Sequence, residues 1–308
     1  MSKYFLGVDG GQSGTTALIG DEDGHVIGVG RAGACGHIDD DQLRAVLAAA
    51  ITDASAAAGL KNPLFETAWV GLSGGVKEFV GEVIQAKAVR VTHDAAIALE
   101  GALAGEPGVI VIAGTGSIAY GRNVAGQDAR AGGWGYVFGD EGGAFDIVRQ
   151  ALRAALRFEE GWGPRTALRN VLLLEASGAE NANELMHWAY RDDYPRDRVA
   201  AWAPLVETAA NAGDSVAAEI LRGAAQSLAM FASAVRRQLF HEGAAAAVSY
   251  AGGVFQNERI LDTFRTLVEL DDSIKVTPPR YSPAAGALIG AYRLATKSVV
   301  LQGAPPIK

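Results

Sequence analysis

The sequence predicts an α/β protein made of two similar halves, and three observations support this prediction. The chain has 308 residues, of which 49% are hydrophobic and 20% charged, so it is long and apolar enough for two domains with cores. Strands and helices alternate through its first part. A pattern of strand, glycine turn, strand, polar turn and strand then occurs twice. We expect the two halves to face each other across a cleft, with a glycine hairpin on each wall.

The first half contains the elements of one such unit. The predicted strands are 3–9, 15–21, 25–30, 67–72 and 88–93. The predicted helices are 41–58, a short one near 76–86, and 94–104. The helix at 41–58 is the clearest, because its sequence is rich in helix formers and ends at Gly59.

The second half repeats the pattern and then becomes mainly helical. Its strands are predicted in GVIVIAG, in SIAYGRN and at 129–133, with a later pair at 247–251 and 275–277. Its helices are predicted at 144–158, 185–190 and about 214–240, after AGGVFQN, and after Ser282 and Pro283. The expected domains are 1–107 and 108–289, with a helix within about 290–308 packing back on the first domain.

Composition limits the classes of function. The net charge of −8 and a pI near 5.2 argue against a nucleic-acid surface. The one cysteine, Cys35, excludes an intramolecular disulfide and a cysteine zinc site. We expect a soluble cytoplasmic protein, because there is no signal peptide or long apolar run. The 39 glycines include five clusters far apart in the sequence, which suggests one composite site for a small ligand.

The first glycine cluster, VDGGQSGT, joins two predicted strands. Its row of N–H groups and hydroxyls suits an anion such as phosphate, and the alternative is a glycine-rich hairpin without a ligand. Asp9 ends the first strand, where a carboxylate can hold Mg²⁺ mainly through water. The predicted phosphate-binding residues here are Gly10, Gly11, Ser13, Gly14 and Thr15.

A second glycine cluster, AGTGS at 113–117, occupies the matching place in the second half. The predicted phosphate-binding residues are Gly114, Thr115 and Gly116, and the alternative is a plain turn. No glycine cluster contains the lysine of a P-loop. GTGSIA is followed by a predicted strand instead of a helix, which excludes a Rossmann fingerprint. We therefore expect this loop to hold the same phosphates as the first.

Four carboxylate or hydroxyl residues are candidates for chemistry and sugar binding. Asp94 ends a strand in THDAA, where an aspartate can accept the proton of an attacking hydroxyl or simply cap the helix. We interpret the neighbouring His93 as structural. Asp140 and Glu141, framed by glycines, suit a polyhydroxyl ligand, and the alternative is a flexible loop with an acidic cap. Ser73 in GLSGG can join that pocket or belong to a plain turn.

The last glycine cluster, AGGVFQN at 251–257, follows a predicted strand and precedes a predicted helix. Glycine without a side chain permits close approach of the backbone to a flat ring. The alternative is an ordinary strand-to-helix turn. The candidate adenosine-binding residues here are Gly252, Gly253 and Asn257.

These motifs together resemble the N-acetylglucosamine kinase and benzoyl-CoA reductase activator ATPase family, within the actin, hexokinase and heat-shock ATPase superfamily. The resemblance covers roughly residues 4–293 and rests on the order DGGQSGT, GLSGG, THDAA, AGTGS, GGWGYVFGDEGG, AGGVFQN and SPAAGA. It implies two ribonuclease-H-like domains, each on a mixed five-stranded sheet, with ATP and acceptor in the cleft. It also implies a homodimer.

The same resemblance implies roles for individual residues. Asp94 falls on the family's catalytic base, DGGQSGT and AGTGS on the phosphate loops, and AGGVFQN on the adenosine segment. The positions that fall on the amino-sugar pocket are Ser73, Thr115, Gly133, Gly135 and Asp140. The expected reaction is transfer of phosphate from Mg·ATP to a hydroxyl, the 6-OH, of N-acetylglucosamine or glucosamine, and the alternatives are N-acetylmuramate or another hexose.

The chain departs from the family at one place. In AGACGHIDD, Cys35 or Gly36 stands in or near the position of an asparagine of the amino-sugar kinases, so the identity of the sugar stays open. The family's activator ATPases hold an iron–sulfur cluster through cysteines, and a single cysteine cannot reproduce their ligand set. A sensor without activity would be expected to lose the base or a phosphate loop, and both are present.

Overall fold

The computed structural model describes residues 3–36, 38–75, 77, 79–176, 178–179, 181–190 and 196–306. Two five-stranded sheets form the centres of two compact units. The first unit comprises Met1–Ile110 and Thr277–Lys308, and the second comprises Val111–Val276. The predicted α/β class with two mixed five-stranded sheets is confirmed.

The described elements follow in chain order. The strands are β1 (Phe5–Gly10), β2 (Thr15–Gly20), β3 (Val26–Ala32), β4 (Thr67–Leu72), β5 (Val89–His93), β6 (Gly108–Ala113), β7 (Ser117–Arg122), β8 (Asp128–Gly132), β9 (Ala246–Ala251) and β10 (Ile274–Val276). The α-helices are α1 (Asp40–Ala57), α2 (Val80–Val83), α3 (Asp94–Ala102), α4 (Gly135–Phe138), α5 (Ala144–Glu159), α6 (Ala182–Ala189), α7 (Arg196–Ala200), α8 (Ala203–Asn211), α9 (Ser215–Leu239), α10 (Glu258–Val268) and α11 (Pro283–Leu294). A π-helix covers Arg169–Ala176 and a 3₁₀ helix covers Gly253–Gln256.

The first sheet is buried on both faces. Its order is β3-β2-β1-β4-β5, with β1, β4 and β5 parallel and β2 antiparallel to its neighbours. Leu6 and Val8 of β1 pack in the core that includes the apolar face of α1. Phe5 instead contacts the Tyr292 ring of α11, with centroids 4.2 Å apart. This burial explains why β1 is a nearly continuous apolar run.

Helix α11 packs closely on the first unit because of glycines. A Cβ at Gly286 would lie 2.1 Å from the carbonyl oxygen of Ile97 in α3, and a Cβ at Gly101 would lie 2.4 Å from the carbonyl oxygen of Ser282. These distances leave no room for side chains, so the backbones of α3 and α11 are in direct contact. The chain's last helix therefore fixes the helix that begins at Asp94.

The second sheet repeats the topology of the first. Its order is β10-β9-β6-β7-β8, so the first strand of this unit, β6, has the second on one side and the fourth on the other, as β1 does. Strands β7 and β8 are antiparallel, whereas β9 and β10 are parallel. The predicted internal repeat is thus present as strand order, although few residues are identical.

Several details differ from the expectations. The predicted helix near 76–86 is reduced to α2, and residues 76 and 78 lie outside the described residues. Helices α7 and α8 were not predicted. The predicted domain boundary at 289/290 falls inside α11, all of which lies in the first unit. Within the described part of the chain, no helix combines the length and apolarity needed to cross a membrane.

Candidate active site

The first unit brings three predicted residues to one edge of its sheet. Asp9 of β1 pairs with Gly71 of β4, which pairs with Thr92 of β5. The three parallel strands therefore end side by side, and Asp9, Ser73 and Asp94 lie at these ends. The backbone N–H of Ser73 donates to the carbonyl oxygen of Gly10 at 2.8 Å, which fixes the turn after β4 against β1.

The Asp9 and Asp94 carboxylates are close enough to affect each other. Burial and, secondly, the charge of Asp94 raise the pKa of Asp9 to about 7. Burial also raises the pKa of Asp94, although hydrogen bonds from the Ala95 N–H and the Ser73 side chain act in the opposite direction. The Ala95 N–H lies 2.8 Å from Oδ1 of Asp94. The sheet edge thus holds two partly buried acids whose negative charges repel, an arrangement typical of functional sites.

Asp94 does not occupy the N-cap position of its helix. His93 is the N-cap residue of α3, and its side chain makes no capping hydrogen bond. Asp94 is the first residue of the helix, and its carboxylate accepts from the next N–H in the chain. The N-cap position that the sequence left open for Asp94 is therefore occupied by His93, without a capping hydrogen bond from its side chain.

The first glycine loop is closed by backbone hydrogen bonds. The N–H of Gly11 donates to the carbonyl oxygen of Gly14 at 3.0 Å, and the N–H of Cys35 donates to the carbonyl oxygen of Gly11 at 2.9 Å. Gln12 and Ser13 are exposed at the tip. The segment after β3 therefore supports this loop from one side.

Contrary to the expectation from the sequence, the Thr15 hydroxyl does not face a ligand but contacts the thiol of Cys35. The hydroxyl of Thr15 is buried and donates to the carbonyl oxygen of Gly33 at 2.8 Å, and it lies 2.9 Å from Sγ of Cys35. Burial raises the pKa of the Cys35 thiol. The pair is thus part of the support beneath the loop, and a Cβ at Gly10 would lie 3.0 Å from the same sulfur.

In the second unit, the other glycine loop is bound to the start of α5. The carbonyl oxygens of Gly114 and Thr115 accept from the first two N–H groups of the helix, those of Ala144 and Phe145, at 2.8 and 3.1 Å. Helix N-termini have free N–H groups, and the loop satisfies these two. The loop is thereby bound to the helix at two carbonyl oxygens, and the N–H of Gly114 donates to the carbonyl oxygen of Gly116 at 2.9 Å.

Asp140 lies against this second loop. Its φ of 62° is in the left-handed region, which aspartate tolerates better than most residues. Its carboxylate accepts from the N–H of Ser117 at 3.4 Å and lies where a Cβ at Gly116 would be 2.5 Å away. Burial raises the pKa of Asp140, whereas the Ser117 hydrogen bond and the Arg196 charge oppose this effect.

The other predicted sugar-binding residues of the second unit surround Asp140 in sequence. Gly133 and Gly135 have φ values of 71° and 75°, which explains why glycine is used there. The Glu141 side chain is exposed, and its carbonyl oxygen accepts from the Ser117 hydroxyl at 2.7 Å. The GGWGYVFGDEGG segment is therefore fixed to the loop through backbone contacts.

A cavity of about 580 Å³ in the second unit joins the second loop to the AGGVFQN segment. Gly114 and Thr115 line it together with Gly253 and Asn257. Gly252 has a φ of 98° and is the N-cap of the 3₁₀ helix, and a Cβ there would lie 2.3 Å from the carbonyl oxygen of Ala113. The residues predicted to hold phosphates and adenosine are thus brought together in this unit.

The opposite wall of the cavity was not predicted from the sequence. Helices α7 and α8 contribute Asp197, Ala200, Pro204 and Glu207. Pro204 at the start of α8 is a helix signal in the sequence, since proline favours the first turn. That signal predicts a helix but does not indicate which face meets a ligand.

Comparisons with known proteins agree with this arrangement. The model of the BadF/BadG/BcrA/BcrD ATPase family matches residues 6–294. An N-acetylmuramic acid/N-acetylglucosamine kinase from Clostridium acetobutylicum is 31% identical, over 93% of this chain and 97% of the relative. A glucosamine kinase from Vibrio cholerae is 28% identical, over 79% of this chain and 82% of the relative. The crystal structure of a candidate N-acetylglucosamine kinase from Chromobacterium violaceum has a TM-score of 0.74 and 28% identity, and covers 93% of this chain and 98% of that one.

Proposed function

The chain belongs to the BadF/BadG/BcrA/BcrD ATPase family, and from this premise we propose that it is an ATP-dependent amino-sugar kinase. The proposed reaction transfers the γ-phosphoryl group of ATP to the 6-OH of N-acetylglucosamine or glucosamine. The observation that carries the proposal is the placement of Asp94 and Asp9 at the ends of parallel strands, next to a glycine loop. The kinase activities of the relatives support it.

Asp94 is the proposed base. In phosphoryl transfer an aspartate accepts the proton of the attacking hydroxyl. Burial raises the pKa of Asp94, and a base with a higher pKa accepts a proton more readily near neutral pH. The Ser73 side chain, which hydrogen-bonds to Asp94, is proposed to help orient the same hydroxyl.

The two glycine loops are proposed to hold the phosphates. In the first unit the proposed phosphate-binding residues are Gly10, Gly11, Ser13, Gly14 and Thr15. Thr15 acts through its support of the loop. In the second unit they are Gly114, Thr115 and Gly116. N–H groups of such loops bind anions without a charged side chain. The adenosine is proposed to occupy the 580 Å³ cavity near Gly252, Gly253 and Asn257.

Asp9 fits the proposed Mg²⁺ site. Its pKa is raised to about 7 by burial and by the charge of Asp94, and a cation beside it would relieve that repulsion. When bound, Mg²⁺ would neutralise charge on the phosphates, and it usually keeps several waters, so Asp9 would hold it mainly through water. The Asp9 carboxylate then needs only to point toward those waters.

The sugar is proposed to be oriented by Asp140 and Glu141 together with Ser73, Thr115, Gly133 and Gly135. A carboxylate can accept hydrogen bonds from two neighbouring hydroxyls, and Asp140 is held by the Ser117 N–H and by Arg196. The relatives' names include N-acetylmuramic acid, N-acetylglucosamine and glucosamine, so N-acetylmuramate is retained as a second acceptor. Cys35 is buried under the first loop, and its thiol has no carbonyl oxygen with which to accept a hydrogen bond from an N-acetyl group as an asparagine does.

The test is a coupled assay of ADP release with Mg·ATP and a panel of acceptors. The panel contains N-acetylglucosamine, glucosamine, N-acetylmuramate, N-acetylmannosamine and glucose. We expect one amino sugar to stimulate ADP release far above the others, and the Asp94→Asn protein to be inactive with it. Mass spectrometry of the product would show a phosphate ester at O6. Slow ATP hydrolysis that no sugar stimulates would contradict the proposed acceptor class.

The proposal also includes location and assembly. A kinase that consumes ATP fits the cytoplasm. A homodimer is proposed from the family resemblance. Sedimentation equilibrium would measure the assembly directly, and a mass of 32.0 kDa over the working range of concentration would show a monomer and contradict the dimer.

A further inference from the structure

Arg196 contacts the carboxylate that we propose to orient the sugar. Its Nη2 lies 3.8 Å from Oδ2 of Asp140, whose side chain is only 9% exposed. The guanidinium carbon lies over the ring of Tyr136, 4.4 Å from its centroid, and over the ring of Phe145, 5.8 Å from its centroid. Two aromatic rings therefore hold a cation beside a buried acid. The Nε of Arg196 is buried and has no hydrogen-bond partner among the described residues.

Arg196 is also the first residue of a helix that lines the nucleotide cavity. Helix α7 has five residues, and Asp197 and Ala200 of this helix face the 580 Å³ cavity. The following helix, α8, adds Pro204 and Glu207 to the same wall. One short helix thus has its first side chain on Asp140 and its next residues on the proposed nucleotide site.

We propose that Arg196 is a positioning residue that fixes the Asp140 carboxylate for the sugar, and that α7 couples its position to nucleotide binding. The inference rests on the proposed function and deepens it. A filled cavity fixes α7, and a fixed α7 brings Arg196 onto Asp140. Sugar binding and nucleotide binding then favour each other, because coupling between two sites is reciprocal.

The distance between Arg196 and Asp140 can still shorten when a ligand binds. The 3.8 Å separation is longer than a charge-assisted hydrogen bond of about 2.8 Å, so a shift of about 1 Å closes it. The Asp140 carboxylate accepts from the backbone N–H groups of Ser117 and Gly135, and the bond from Ser117 is long, at 3.4 Å, so a third donor can still add to its positioning. The guanidinium of Arg196, held over the Tyr136 ring, can offer two N–H groups to one carboxylate, which a lysine ammonium does not reproduce.

The test measures the affinity for N-acetylglucosamine by calorimetry, with and without saturating Mg·ADP. In the wild-type protein we expect Mg·ADP to tighten sugar binding by about fivefold or more. In Arg196→Gln, sugar binding should weaken about tenfold or more and become independent of Mg·ADP. The KM for the sugar should rise with a smaller change in kcat, while the affinity for Mg·ADP alone should stay within about threefold.

Two further variants make the test specific. Arg198→Gln removes the same charge from an exposed residue of the same helix and should behave as the wild type. Arg196→Lys keeps the charge without the planar group, and it should lose most of the dependence on Mg·ADP. If Arg196→Gln does not fold, Arg196→Lys still tests whether the planar group positions Asp140. Thermal melting and Mg·ADP binding report whether each variant is folded.

The outcomes separate the inference from the proposed function. A wild-type protein that phosphorylates the sugar but binds it equally well with and without Mg·ADP would overturn the coupling. An Arg196→Gln or Arg196→Lys protein with wild-type affinity and wild-type response to Mg·ADP would overturn the positioning role. A wild-type protein that neither binds nor phosphorylates any amino sugar would instead overturn the proposed function.

Discussion

The β1–β2 and β6–β7 hairpins occupy the same place in two sheets of the same strand order, yet different groups surround them. The first follows a strand that carries Asp9, and its sheet edge also holds Asp94. The second follows β6, whose sequence GVIVIA has no ionisable side chain. Its loop is bound by α5 and faces Asp140 and a cavity.

This difference separates what the repeat provides from what single residues provide. The strand order and the glycine turn give each unit the same backbone frame, which we propose to hold phosphates. The carboxylates at the strand ends occur in the first unit, where we propose proton transfer and magnesium binding. The second unit contributes the cavity and a carboxylate next to an arginine, which suit recognition of nucleotide and sugar. The predictions below test this division of roles.

The largest expected effect is the loss of turnover in Asp94→Asn. Removing a general base lowers kcat by about 10²- to 10⁴-fold, and the affinity for Mg·ATP should change by less than about threefold. Steady-state kinetics and calorimetry measure both quantities. The matched change in the second unit, Asp140→Asn, should instead raise the KM for the sugar more than it lowers kcat. Equal kinetic profiles for the two variants would contradict the division of roles.

The fold could be predicted from the sequence to a large extent because its signals are local. Helix α1 has a capping box at Asp39 and Gln42 and begins one residue before the predicted start. The ten described strands were found from apolar runs and glycine turns. The repeat predicted two similar units, whereas the order of the strands within each sheet depends on long-range pairing and was not predicted.

The sites were predictable where a residue stands at a strand end and not where long-range packing decides. Asp9 and Asp94 follow apolar runs, so their position at one sheet edge follows from parallel strands. The buried direction of the Thr15 hydroxyl depends on Gly33 and Cys35, which lie 18 and 20 residues away. The contact of Arg196 with Asp140 depends on helices that show no distinctive motif. Because Arg196 and Asp140 are far apart in the sequence, no local pattern predicts that they meet.

The pH dependence of stability should distinguish Asp9. Its folded-state pKa of about 7 is above its ordinary value of 3.8, so the folded protein binds more protons between these values. This contribution to stability is complete below pH 3.8 and is lost as pH rises through 7. The free energy of unfolding falls with rising pH wherever the folded state binds more protons than the unfolded state. Asparagine does not ionise. Asp9→Asn should therefore be more stable than the wild type at pH 8, by at most a few kcal/mol, and equal to it near pH 4.

Melting temperatures of the ligand-free protein between about pH 4 and pH 9 measure this effect. Asp272→Asn removes a charge from an exposed residue and serves as the control. Asp140→Asn should gain less than Asp9→Asn, because Arg196 opposes the rise in the pKa of Asp140 whereas Asp94 adds to that of Asp9. Parallel pH profiles for Asp9→Asn and the wild type would show that neither burial nor the charge of Asp94 raises the pKa of Asp9 in solution.

The smallest expected effects compare glycines of the two loops. A Cβ at Gly116 would lie 2.5 Å from Oδ2 of Asp140, and one at Gly11 would lie 3.2 Å from the carbonyl oxygen of Gly14. A Cβ at Gly114 would have no described atom within 4 Å outside its immediate chain neighbours. Gly116→Ala should therefore destabilise the ligand-free protein by about 1–3 kcal/mol, Gly11→Ala by less, and Gly114→Ala by less than about 0.5 kcal/mol.

Urea unfolding without ligand measures this order, and it separates packing of the loops from their contact with phosphate. If Gly116→Ala is as stable as Gly114→Ala, the Asp140 carboxylate moves aside at no cost and is not held against the second loop. If Gly11→Ala is the least stable of the three, the first loop is the more tightly constrained one. The predicted order would place the tighter constraint on the loop beside the proposed sugar carboxylate, because a Cβ 2.5 Å from a carboxylate oxygen forces that oxygen to move, whereas a 3.2 Å contact is relieved by a shift of a few tenths of an ångström.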